Sequence, residues 1–148
     1  MIPRYTNPEM GRIWSDQRRY ETWLRVEVAA AEAMAATGLV PEAAARDIAA
    51  CAGVRAERVE EIEQTTQHDV IAFTTAVAEQ VGPSARWLHF GLTSSDVLDT
   101  ALALQMREAC GLIRAGLDGA IAAVGERARE HRDPPMIGRP HGVHAEPM

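Results

Sequence analysis

The segment from Asp96 to Glu130, DVLDTALALQMREACGLIRAGLDGAIAAVGERARE, decides the fold, because it is the longest stretch of the chain with helical periodicity. Its apolar residues recur at three- and four-residue spacings, as at Leu117, Ile121 and Val124. A helix of this span is roughly 50 Å long. The residues before it form too small a domain to cover such a helix. We therefore expect it to pack against other long helices, from a longer chain or from other subunits.

Four glycines lie inside this segment, at Gly111, Gly116, Gly119 and Gly125. Each weakens a helix by about 1 kcal/mol relative to alanine. They either permit the close approach of another helix or mark a break in this one, and the residues alone leave both explanations open.

The rest of the chain is also predicted to be helical. Alanine is abundant and aromatic residues make up only 5% of the sequence, which favours helices over strands. The first dozen residues, with two prolines, are expected to form an extended arm. Four shorter helices then precede the long one, at Ile13–Thr37, from Pro41 to Gly53, at Ala56–Thr65, and after Asp69 as far as Gly82.

The charge and the apolar pattern exclude several classes of protein. The net charge of −6 argues against a general nucleic-acid or membrane-surface binder. The N-terminus has no signal-peptide pattern, and no run of about 18 apolar residues occurs. Cys51 and Cys110 lack C-x-x-C spacing and are expected to be reduced, partly buried thiols. We predict a cytoplasmic protein that binds neither nucleic acid nor membrane.

The first polar tract is QHDV, from Gln67 to Val70. Asp69 is a plausible N-cap of the helix that follows, which explains the aspartate without any function. His68 has no such structural reason, although a lone histidine before a helix is more often a surface residue than a functional one.

The second tract is HFGLTSSD, from His89 to Asp96. Some of its polar residues must cap the long helix, but the three hydroxyls of Thr93, Ser94 and Ser95 exceed what capping needs. Free N–H groups at a helix start, with hydroxyls and the helix dipole, form an anion site. Capping alone and an anion site are equally compatible with these residues.

The third tract is GRPHGVHAEP, from Gly138 to Pro147. His141 and His144 have a spacing that suggests metal ligation on a helix, but the flanking prolines argue against a helix. No cysteine or carboxylate set completes a metal site, so no metal is expected. A histidine in such a Gly- and Pro-shaped loop is better interpreted as a positioned proton donor.

Together these tracts resemble the adenylosuccinate lyases, a family of the fumarase/aspartase superfamily. The matching elements are Arg4-Tyr5, the HDV at His68, the block HFGLTSSDVLDTA at 89–101 and the IGRxHGVHAEP segment at 137–147. They occur in order along essentially the whole chain. The HDV and GLTSSDVxDTA forms point to the adenylosuccinate branch rather than to argininosuccinate lyase or fumarase.

The resemblance implies an all-α, fumarase/aspartase-like fold. A small N-terminal helical domain would span residues 1–93, and residues 94–148 would begin a central helical bundle that is incomplete in this chain. The family forms homotetramers whose active sites are assembled from three subunits. We therefore expect the chain to be the N-terminal part of a longer, homotetrameric protein.

The implied reaction is the β-elimination of fumarate from adenylosuccinate, giving AMP, and from the equivalent succinyl-carboxamide ribotide of purine biosynthesis. It needs no cofactor. Carried over by position, Arg4 and Tyr5 would hold the substrate phosphate. Gln67, His68 and Asp69 would line the nucleotide site, with His68 near the phosphate or supporting the catalytic acid.

In the same way, Thr93 and Ser94 would bind the succinyl carboxylate, with His89 as a neighbouring polar group. His141 would be the general acid that protonates the departing purine nitrogen. The chain departs from the family in two respects: Pro140 replaces the usual threonine or serine, and the loop with the serine base, SSxMPxKxN, is absent. The alternatives are a non-catalytic helical oligomerisation module and another fumarate-releasing lyase of the superfamily.

Overall fold

The fold is a set of helices, seen in a computed structural model that describes residues 2–50 and 53–144. The α-helices are α1 (Pro8–Ile13), α2 (Asp16–Ala36), α3 (Glu42–Ala49), α4 (Ala56–Thr66), α5 (Asp69–Val81) and α6 (Ser94–Glu130). Short 3-10 helices lie at Pro3–Tyr5, Gly82–Trp87 and Pro140–Gly142. No β-strand occurs in the two described ranges. The all-α prediction is confirmed.

The N-terminal residues differ from the extended arm that was predicted, because they contain a 3-10 turn and α1. The Asn7 side chain accepts hydrogen bonds from the N–H groups of Glu9 and Met10, and Pro8 takes the first helical position, where its missing N–H costs nothing. The Ser15 side chain then caps α2 by accepting from Arg18 N. The helix predicted to start at Ile13 therefore starts at Asp16, and a separate short helix precedes it.

Three aromatic rings form the centre of the core between α2 and α5. Tyr20 and Trp23 meet edge to face at 5.2 Å between centroids, and Trp23 meets Phe73 in the same way at 5.4 Å. Tyr20 and Phe73 are stacked at 6.1 Å, and both are fully buried. These contacts, together with the buried valines and alanines around them, hold the shorter helices together.

The first half of α6 packs on this core through one stripe of residues. Val97, Ala101, Gln105 and Ala109 are spaced four apart, and all are buried. The Gln105 side chain donates a hydrogen bond of 2.6 Å to the carbonyl oxygen of Ile13 at the end of α1. Because a buried amide needs a partner, this bond fixes the position of α6 along α1.

Ion pairs also join helices at the surface. Arg18 on α2 contacts Glu108 on α6 at 2.8 Å, and this hydrogen bond raises the pKa of Arg18. Arg58 on α4 makes a two-pronged contact with Glu79 on α5, which lowers the pKa of Glu79. Both pairs are partly exposed, so we assign them a small share of the stability.

The chain divides into two compact units, residues 1–110 and 111–148. The domain boundary expected near residue 93 stays a prediction. In the second unit α6 continues without a break to Glu130, so its glycines do not interrupt the helix. Cys110, expected to be partly buried, is exposed, and Cys51 lies outside the described residues. No helix within 2–50 or 53–144 is long and apolar enough to cross a membrane.

Gly116→Ala should stabilise the isolated chain by about 1 kcal/mol, because alanine favours the helix and a Cβ at this position would meet nothing within 4 Å. Thermal unfolding at low protein concentration measures the change. Gly38→Ala is the control and should destabilise, since Gly38 has φ +77. A loss of stability in Gly116→Ala that grows with protein concentration would show instead that another helix lies against this glycine.

Candidate active site

The loop that leads into α6 has two residues in the left-handed region of backbone space. His89 has φ 59 and Gly91 has φ 72, and Leu92 N donates to the His89 carbonyl oxygen at 3.3 Å. A Cβ on Gly91 would lie 3.6 Å from Met34, which is an ordinary contact, so the glycine is needed for its backbone angle rather than for space. Leu88, buried just before it, anchors the loop on the core.

A buried carboxylate on α2 holds His89 in this conformation. Glu27 is 1% exposed, and its Oε2 accepts from the His89 backbone N–H at 2.9 Å. Its Oε1 lies 2.6 Å from His89 Nδ1. Glu27 is not among the residues predicted from the sequence. The signal for it was an acidic residue in the buried stripe of α2, four positions after Trp23 and four before Ala31.

The start of α6 is capped by a carboxylate rather than by a hydroxyl. Asp96 Oδ2 accepts from Thr93 N at 2.8 Å, in the reciprocal half of a capping box. The side-chain hydroxyls of Thr93, Ser94 and Ser95 form no hydrogen bond with any residue of the described ranges. Capping therefore does not account for them, and they are available to a ligand at a helix N-terminus.

The turn between α4 and α5 contains the three residues of the QHDV tract that were predicted to line the nucleotide site. Gln67 ends α4 with φ 50, and its side-chain amide donates to the Gln64 carbonyl oxygen at 3.0 Å. His68, not Asp69 as predicted, is the N-cap of α5, and its Nδ1 accepts from Ile71 N at 3.4 Å. The prediction failed because the histidine nitrogen replaces the oxygen of an ordinary capping residue. His68 thus has a structural role and remains exposed.

Arg4 and Tyr5 lie in the N-terminal 3-10 turn and contact each other. The Arg4 guanidinium donates to the Tyr5 hydroxyl at 2.9 Å and lies 4.7 Å from the centre of its ring. Tyr5 is 72% exposed, so this pair presents a cation and a hydroxyl to solvent. No hydrogen bond or ion pair within the described residues links this turn to the QHDV turn or to the loop before α6.

His141 belongs to the second compact unit. It has φ 52, in the left-handed region, and it is followed by Gly142 with φ 76. His141 and His144 are both exposed. Among residues 2–50 and 53–144, no group of three or more His, Cys, Asp or Glu side chains is placed to hold a metal ion. Each of these segments by itself offers hydroxyl, imidazole or guanidinium donors, which suit anionic ligands and proton transfer.

Several solved structures have a similar fold. The chain is 33% identical to a fumarate lyase from Mesorhizobium sp. BNC1, with a TM-score of 0.88, over 95% of this chain and 34% of that one. It is 35% identical to the 3-carboxy-cis,cis-muconate lactonizing enzyme from Pseudomonas putida, with a TM-score of 0.86, over 97% and 34%. The fold is therefore that of the fumarate lyase superfamily.

The sequence comparisons are more specific. The family model described as Lyase matches residues 4–148, and the chain belongs to this lyase family. It is 53% identical to the adenylosuccinate lyase of Synechocystis sp. over 100% of its length, and 44% identical to that of Bacillus subtilis over 99%. In both cases it spans 34% of the relative, about a third of its length. The family resemblance found in the sequence is confirmed.

Asp96→Ala should destabilise the chain by about 1 kcal/mol, because it removes the acceptor for Thr93 N and a negative charge at the helix start. Ser94→Ala is the matched control and should change stability by less than about 0.5 kcal/mol, since its hydroxyl has no partner in the described structure. Urea unfolding measures both. Equal losses would mean that the hydroxyl, and not only the carboxylate, caps α6.

Proposed function

We propose that the chain is the N-terminal part of an adenylosuccinate lyase. It would contribute substrate-binding residues and a proton donor to the β-elimination of fumarate from adenylosuccinate, which gives AMP. The same reaction would act on the succinyl-carboxamide ribotide of purine biosynthesis. The observation that carries the proposal is the set of unused hydroxyls at the start of α6, in a chain that is 44–53% identical to relatives named adenylosuccinate lyase.

The start of α6 suits the succinyl part of the substrate. A carboxylate accepts hydrogen bonds, and Thr93 and Ser94 offer hydroxyl donors beside the free N–H groups of the first helical turn. Asp96 places a negative charge in the same turn, so the hydroxyls and any nearby cation must supply the attraction. Arg4 and Tyr5 offer a guanidinium and a phenol hydroxyl, a combination suited to the substrate phosphate.

The QHDV turn supports a nucleotide-binding role. His68 and Gln67 are exposed beside each other, and Asp69 lies 3.5 Å from the His68 Nδ1. Their amide, imidazole and carboxylate groups match the mixed donors and acceptors of a nucleotide. His68 is proposed to lie near the phosphate or to support the catalytic acid.

His141 is proposed as the general acid. The departing amine of adenylosuccinate needs a proton as the carbon–nitrogen bond breaks, and a histidine side chain can deliver one near neutral pH. The chain has no match to the family's serine-base loop, so removal of the Cβ proton would require residues from outside these 148. The isolated chain would therefore bind without turning over.

Oligomer formation is proposed from the second half of α6. Four large apolar side chains, spaced so that they share one face, are between 54% and 69% exposed: Ile113, Leu117, Ile121 and Val124. An exposed apolar row of this kind marks an interaction surface. Packing of this face against long helices of other subunits fits the homotetramer that the family resemblance implies. A cytoplasmic location stays a prediction.

The same row is the observation that favours a second candidate, a helical oligomerisation module without catalysis. The exposed apolar face would serve such a module equally well. The two candidates differ in what they require of the polar residues, since a module needs neither Thr93 nor His141. A third candidate, another fumarate-releasing lyase of the superfamily, is favoured by the fumarate lyase among the solved structures of similar fold.

A chimera tests the proposed reaction. Residues 1–148 would replace the matching third of the Synechocystis enzyme, and fumarate release from adenylosuccinate would be followed by absorbance. We expect turnover by the chimera and none by the isolated chain, because only the chimera contains a base. A folded, oligomeric chimera without turnover, or one that turns over only other substrates, would contradict the proposal. Turnover by the isolated chain would refute the inference that it lacks a catalytic base.

His141→Ala in the chimera should lower kcat by about 100-fold or more, because the leaving nitrogen loses its proton donor. His131→Ala is the matched control, since His131 is an exposed histidine whose contacts within the described residues are to its own helix end. Pro140→Thr should raise kcat, because it restores the hydroxyl that the family usually has before the acid. Full activity in His141→Ala would refute its assignment.

A further inference from the structure

We propose that Glu27 is a positioning residue, which holds the His89 imidazole as a cation. The free Nε2–H of this imidazole then binds an anionic group of the substrate beside the start of α6. The proposal rests on the proposed function and adds to it a buried residue that does not itself touch the substrate. It also gives His89 a definite role, that of a cationic donor.

Glu27 is a buried carboxylate. Its side chain is 1% exposed, and both of its oxygens are directed to His89. No arginine lies within ion-pair distance of Glu27 in the part of the chain that the structure describes. A carboxylate removed from water must be paired with a positive charge or with strong hydrogen bonds, and His89 is the group placed to supply both.

The two side chains lie close together. Glu27 Oε1 and His89 Nδ1 are 2.6 Å apart, which is the range of charge-assisted hydrogen bonds. Since Nδ1 is taken by Glu27, Nε2 is the ring nitrogen left for a ligand, and it has no hydrogen-bond partner among the described residues. The His89 side chain is 24% exposed, so solvent and ligands can reach it. A doubly protonated ring bound in this way donates from Nε2 and carries a positive charge.

His89 lies at the corner of the loop that leads into α6. The same carboxylate that holds the ring also accepts from the His89 backbone N–H, so it fixes the left-handed corner from which the loop enters α6. The bond from Leu92 N to the His89 oxygen closes the turn from His89 to Leu92, directly before Thr93. Because Asp96 puts a negative charge in the first turn of α6, an anion there needs a nearby cation.

The protonation of His89 tests the proposal without any substrate. Nitrogen NMR of the unmodified chain distinguishes protonated from unprotonated ring nitrogens. We expect both nitrogens of His89 to be protonated at neutral pH, with an exposed histidine such as His131 as the internal comparison. An unprotonated Nε2 would overturn the proposal, because a neutral ring bound through Nδ1–H would present a lone pair to the substrate anion.

A double-mutant cycle in the chimera tests the functional role. Glu27→Gln keeps the size and one hydrogen-bond acceptor but removes the charge, and it should raise KM for adenylosuccinate roughly 10- to 100-fold with a smaller change in kcat. Glu32→Gln, an exposed position on the same helix, should leave KM unchanged. In a His89→Gln background, Glu27→Gln should have little further effect on KM, because Glu27 acts through His89. An equal effect in both backgrounds, or none in either, would overturn the proposal.

Product inhibition identifies which anionic group of the substrate His89 binds. Inhibition by fumarate reports a carboxylate contact, whereas inhibition by AMP reports a phosphate contact. Glu27→Gln should weaken one of the two by a similar 10- to 100-fold factor and leave the other nearly unchanged. Unaltered inhibition by both would count against the proposal. Failure of the unmodified chimera to turn over would refute the proposed function alone, since the NMR measurement does not depend on it.

Discussion

The contact between Glu27 and His89 ties the middle of α2 to the loop that begins α6, across 62 positions of sequence. One carboxylate satisfies both a backbone N–H and a ring nitrogen, and almost none of it is exposed. Removing one partner of such a buried pair typically costs about 3–5 kcal/mol, because the other is left without compensation. The direction in which the chain enters its longest helix therefore depends on this pair more than on any surface ion pair.

The long helix has two halves with different environments. Its first half is held by a buried stripe that includes Val97 and Ala101, and by the Gln105 hydrogen bond to Ile13. Its second half, in the other compact unit, presents an apolar face to solvent. Burying that face would stabilise an assembly by about 25 cal/mol for each Å² removed from water. This imbalance within one helix is the physical reason to propose that the chain functions in an oligomer.

The candidate site combines residues that serve the fold with residues that do not. Gln67 and His68 terminate α4 and begin α5, and Asp96 caps α6, so each of them has a structural reason to be present. The hydroxyls of Thr93 and Ser94 have no such reason within the described structure. A polar group that the fold does not use, at a helix start that attracts anions, is better evidence of binding than one that also caps a helix.

The sequence by itself determined the helical class, the extent of the long helix and the polar tracts, because periodicity and motif order are local properties. The family could also be recognised from these tracts, and the comparisons confirmed it. Only the tertiary structure showed that His68 caps α5, that Asp96 satisfies the start of α6, and that Glu27 is buried against His89. A sequence pattern gives the face of a helix but not the partner across the core. The role of an acidic residue on α2 is decided only when folding removes its carboxylate from water and places one imidazole beside it.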